Sequence, residues 1–192
     1  MSNTRKKQTQ TLVMGAILTA LVIVLQLMGA FIRFGMFSIS LVLVPIVIGA
    51  AKCGWKIGAW LGFVFGVAVL LSGDAASFLA INVFGTILTV LIKGTACGLV
   101  SGIVYKLLEK RNRYLAVMAA AVTCPVINTG VFLFGCVAFF LPTISQWGVS
   151  AGFTSAASYM FLGLAGGNFL VELAVNIVLA PVILRVLNFK ND

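Results

Sequence analysis

The stretch that decides the fold runs from Tyr159 to Leu187, YMFLGLAGGNFLVELAVNIVLAPVILRVL. A helix crosses a bilayer with about 20 apolar residues, and this run is long enough. Near its middle stands Glu172, one of only four acidic residues in the chain. A charge at the membrane centre costs about 2.5–3.5 kcal/mol even on insertion scales, so such a group faces the bundle interior and has a partner or a function. Asn168, Glu172 and Asn176 recur every four residues. That is about one helical turn, so the three side chains stack as a ladder on one face.

The rest of the chain has the same character. Of its 192 residues 61% are hydrophobic and 9% charged, and the mean hydropathy is +1.17. A soluble domain would be only about half apolar and about a quarter charged. The apolar runs are continuous rather than alternating, which excludes a transmembrane barrel. The reading is an all-α integral membrane protein, a single membrane domain over 1–192 embedded in the lipid bilayer. Six spanning helices are expected, at roughly 10–31, 35–51, 54–72, 78–106, 114–141 and 159–187. The first follows Arg5-Lys6-Lys7 but is too long for a signal-peptide core and lacks a clear cleavage site, so it is read as a retained span.

Net charge is +9, and its placement points to orientation rather than to nucleic acid. Arg5, Lys6 and Lys7, then Lys52 and Lys56, then Lys106, Lys110, Arg111 and Arg113, and finally Arg185 and Lys190 all fall on one side of the predicted bundle. The other side has Arg33 and Asp74. By the positive-inside rule both termini are cytoplasmic. The outer connections then lie at about 32–34, 73–77 and 142–158, the last with Pro142, Gln146, Trp147, Gly148 and Gly152 in a composition suited to a reshaping loop. There is no histidine, and Cys53, Cys97, Cys124 and Cys136 lack metal-ligand spacing, so no metal or cofactor is expected. No Walker-type loop occurs either. Any ATP-driven motor belongs to another chain.

Helix faces separate packing from chemistry. Gly58, Gly62 and Gly66 lie at four-residue spacing, and Gly94, Gly98 and Gly102 repeat the device. Small-residue stripes let helices approach closely within lipid, whether within the chain or against a partner. Asn82, Thr86, Thr89 and Lys93 share a different face of the fourth helix. By counting residues from the helix ends, Lys93, Asn128 and Glu172 reach one depth. Two readings compete for them: a structural Lys93–Glu172 ion pair with asparagines satisfying leftover hydrogen bonds, or a site completed by a polar ligand. Thr123-Cys124-Pro125 frees a backbone carbonyl in the fifth helix, which suits a cavity wall. A carboxylate ligand would suit Lys93 or Arg33, and a hydroxyl or amide would suit Asn82, Asn128 and Asn168. Aromatic stacking could come from Phe78, Trp147, Phe153 or Tyr159, with a membrane-interface role equally open to Trp147.

Several stretches carry a resemblance. Residues 37–50, FSISLVLVPIVIGA, and residues 54–66, GWKIGAWLGFVFG, resemble the substrate-binding S components of energy-coupling factor (ECF) vitamin transporters. Lys93-Gly94-Thr-Ala-Cys-Gly98-Leu-Val-Ser-Gly102 and Pro125-Val-Ile-Asn128-Thr129-Gly130 agree, and the likeness spans nearly the whole chain. The resemblance implies a binding subunit, not an enzyme. It would capture a vitamin near the outer face and dock on a transmembrane coupling protein carrying two ATPase subunits. Ala16 and Ala20 match the small-residue motif by which that family's first helix meets the coupling protein. The pantothenate-type branch is the nearest by eye, with riboflavin or another vitamin next. The expected substrate-binding residues are Asn82, Thr86, Lys93, Asn128, Asn168 and Glu172, in a multi-pass protein of a prokaryotic plasma membrane. The alternative is a stand-alone secondary carrier that moves a proton on Glu172.

Overall fold

The computed structural model describes residues 3–29, 33–34, 37–38 and 41–188. Within them the chain forms α1 (Asn3–Gly29), a two-residue antiparallel clip of β1 (Arg33–Phe34) with β2 (Phe37–Ser38), α2 (Leu43–Cys53) and α3 (Trp55–Leu71). A short α4 (Ala76–Leu79) precedes the long α5 (Val83–Leu108) and α6 (Arg113–Phe139). Then come α7 (Leu141–Ser150), α8 (Ala156–Ser158), a π-helical segment (Tyr159–Gly166) and α9 (Gly167–Asn188). Four helical stretches are long and apolar enough to cross a membrane: Gln8–Gly29, Val83–Leu108, Arg113–Phe139 and Ala156–Leu187. The protein is thus a helical multi-pass membrane protein. The apolar helices α2 and α3 are shorter, at 11 and 17 residues.

Local chemistry sets the ends of these elements. Gly54 joins α2 to α3 at φ +92°, a conformation that favours glycine. Asn82 is extended, and its side-chain oxygen accepts from Gly85 N at 2.9 Å, which caps α5. Asn112 caps α6 likewise, accepting from Tyr114 N and Leu115 N.

Several expected boundaries are corrected. The second helix does not fill 35–51 but begins at Leu43, and the clip occupies part of the preceding stretch. Pro45 explains the late start, because proline lacks an N–H and is tolerated only in a helix's first turn. The fourth span does not start at 78, because Asn82 ends the short α4 and opens α5 as a separate helix. Much of 142–158 is helical rather than loop. Pro142 sits at the start of α7, which buries Ile144 and Gly148 against Tyr159 and its neighbours. The first span ends at Gly29 within the described residues, and positions 30–31 lie outside them.

The glycine stripes pack within the chain. A Cβ on Gly62 would strike the carbonyl oxygen of Gly94, and one on Gly94 would strike the carbonyl of Gly62. Gly58 and Gly98 stand in the same reciprocal relation one turn away, and Gly102 lies against the backbone of Trp55. α3 and α5 therefore meet backbone to backbone. α2 is buried against α1, α3, α5, α6 and α9, and its Leu43, Ile46 and Val47 sit in the main apolar core. At the end of the bundle where α2 stops and α3 starts, Lys52 Nζ donates to Val186 O at 2.8 Å and Arg113 Nη2 to Leu187 O at 3.1 Å. These carbonyls belong to the last turn of α9, where no intrahelical N–H reaches them.

Candidate binding site

At the opposite end, a cavity penetrates the bundle. It is lined by Gln26 of α1, Phe65 and Val69 of α3, and Asp74, Ala75 and Phe78 of the α3–α4 region. Thr86, Thr89, Val90 and Lys93 of α5, Phe132, Cys136 and Phe140 of the α6 region, and Asn168 and Glu172 of α9 complete the wall. An adjoining recess shares Lys93, Phe132, Asn168 and Glu172 and adds Asn128, Thr129, Leu164 and Ala165. The main space free of protein atoms is about 600 Å³, part of it open to the exterior. That lies within the range of small-molecule sites.

The wall combines aromatic rings with a small set of polar groups. Phe78 is the hub, edge-on to Phe132 at 5.7 Å, to Phe140 at 5.0 Å and to Trp147 at 5.6 Å between centroids. Lys93 reaches in with its ammonium 5.6 Å from the ring centres of both Phe65 and Phe132, where the ring faces attract a cation. Glu172 and Asn128 are each only 5% exposed. The Asn128 amide donates to the Glu172 carboxylate, which leaves Asn128 Oδ1 buried without a hydrogen-bond partner. Thr89 Oγ1 is unsatisfied in the same way. Leaving such a group unpaired costs about 1–3 kcal/mol. A cavity holding unmet polar atoms on an aromatic wall is arranged to receive a polar guest.

The structure thus brings Thr86, Lys93, Asn128, Asn168 and Glu172 to one site. Asn82 is not on its wall, since the side chain is spent on capping α5. The lower rung of the ladder is structural: Asn176 is fully buried and its Nδ2 donates to the Glu172 carbonyl at 2.8 Å. Two polar lining residues escape the sequence reading. Gln26, 2% exposed in α1, donates from Nε2 to Asp74 Oδ2 at 2.6 Å and to Ser72 Oγ at 3.4 Å. The available signal was Gln26 itself, a polar residue deep in an apolar span that needs an explanation on the same ground as Glu172.

The last span enters the site through its π-helical segment. π-helical turns are rare and occur frequently at functional sites. Glycines make room for this one, since a Cβ on Gly163 would meet the Tyr159 ring and one on Gly166 the carbonyl of Phe161. Tyr159 also packs on Phe153 at 5.3 Å. Ala16 and Ala20 are exposed on the outer face of α1, away from the cavity lining.

A helical membrane bundle with a cavity of this make-up defines a class, a transport protein that binds a small molecule within its fold. Residues 10–184 match the family described as "ECF transporter, substrate-specific component", and the chain belongs to that family. Its members are transport-binding subunits, not enzymes, that work with a membrane ECF module. No curated protein and no solved structure is detectably similar to this chain.

Proposed function

We propose that this chain is the substrate-binding subunit of an ECF-type ABC importer in a prokaryotic plasma membrane, capturing a vitamin or related micronutrient at the outer face. The observation that carries this reading is the cavity, where Lys93, Asn128 and Glu172 meet beneath the Phe78 cluster in a chain of this family. The cavity lies away from the basic end of the bundle. With α2 and α3 counted as short spans, there are six crossings and both termini are cytoplasmic. The cavity then opens outward, where a scavenging receptor needs it. Asn82, off the wall, is reserved for the role of positioning α5, while Thr86, Lys93, Asn128, Asn168 and Glu172 contact the substrate.

Uptake then requires a transmembrane coupling protein and two ATPase subunits, with Ala16 and Ala20 on the coupling face of α1. Among vitamins the resemblance puts pantothenate first and riboflavin next. Reconstitution in liposomes tests the reading. The chain alone is expected to bind its substrate without accumulating it, and to accumulate it only with the coupling protein, the ATPases and ATP. Accumulation by the chain alone under a proton gradient would instead establish a secondary carrier working through Glu172.

A further inference from the structure

We infer that the ligand is a small organic cation bearing N–H groups, rather than a free carboxylate. This rests on the reading of the cavity as the substrate site and narrows it. Among the described residues, the charged groups on the cavity wall are Asp74, Lys93 and Glu172, two carboxylates against one ammonium. The single cation is already served from within the protein. Lys93 faces Glu172 across the shared recess and has two phenylalanine rings at 5.6 Å.

A carboxylate entering this space would meet its mirror charge only at Lys93, and would have to compete with Glu172 for it. It would also bring a third negative charge into a confined, low-dielectric volume, where like charges repel far more strongly than in water. A cation meets the reverse situation. Asp74 and Glu172 attract it, and Phe78, Phe132 and Phe140 supply the ring surfaces that stabilise positive charge.

The unmet hydrogen-bonding atoms point the same way. Asn128 uses its N–H on Glu172 and presents a bare Oδ1. That atom accepts only, so the guest must donate. Thr89 Oγ1 can also accept. Gln26 has turned its amide N–H toward Asp74 and Ser72, away from the role of donor to an anion.

Ligand binding is read from Trp147 emission in detergent, since that ring lies 5.6 Å from Phe78 on the cavity wall. The probes are thiamine, an aminopyrimidine cation, and pantothenate, a monoanion. Thiamine is expected to bind at least tenfold more tightly than pantothenate. In Asp74→Asn that preference falls at least tenfold, with pantothenate affinity unchanged or improved. Equal or tighter binding of pantothenate by the unaltered chain overturns the cation assignment and leaves the binding-subunit reading intact. If neither probe binds, molecules released from the purified protein by denaturation are identified by mass spectrometry. A released cation with N–H groups supports the assignment, and a released anion or uncharged molecule overturns it. Binding of neither probe with nothing released overturns both the assignment and the binding-subunit reading.

Discussion

Glu172 is held by two different asparagines for two different purposes. Asn176 grips its backbone carbonyl, and Asn128 its carboxylate. Replacing the carboxylate leaves the first grip in place, so Glu172→Gln is expected to fold normally. It removes a charged hydrogen-bonding partner from the cavity, an interaction worth about 1.5–3 kcal/mol, or roughly tenfold or more in affinity. Lys93→Met keeps the stem that packs between Phe65 and Phe132 and removes only the ammonium. It should likewise weaken ligand binding while the thermal unfolding midpoint in detergent moves little. Loss of detergent-stable folding in both variants would show that the two residues form a structural ion pair instead.

The seam between α3 and α5 makes the sharpest demand among the elements. Gly94→Ala places a methyl group against the Gly62 carbonyl, and overpacking of this kind typically costs about 1–3 kcal/mol. Gly130→Ala is the control, since nothing lies within 4 Å of a Cβ there. Unfolding in detergent should therefore be eased by the first substitution and not by the second. This seam was legible in the sequence because four-residue glycine spacing has one structural meaning in lipid. So was the convergence of Lys93, Asn128 and Glu172, which needed only helix length and sidedness. The boundaries at Pro45 and Asn82 were less legible. Hydropathy runs straight across both, and only proline's missing N–H and asparagine's capping oxygen mark the breaks. Gln26 and Asp74 are far apart in the chain. Their meeting at the cavity depends on how α1 packs on α3, which no local spacing encodes.

At the scale of the whole molecule, binding and energy coupling are expected to occupy separate surfaces. Ala16 and Ala20 are exposed on α1 and absent from the cavity wall. Ala16→Leu and Ala20→Leu should leave ligand affinity unchanged yet reduce ATP-driven uptake several-fold in the reconstituted complex. Normal uptake by both variants would place the coupling face elsewhere. The cavity itself is bounded by two kinds of wall. α3 and α5 are fused along their glycines, while the last span is secured mainly at its far end, where Lys52 and Arg113 hold the carbonyls of Val186 and Leu187. A rod clamped at one foot yields most at its free tip, and that tip is the widened turn from Tyr159 to Gly166. The last span therefore works as a cantilever leaning over a fixed slab. Spin labels at the exposed positions Phe161 and Val182, each paired with one at Ile103, should show ligand-dependent displacement at the tip and almost none near the clamp.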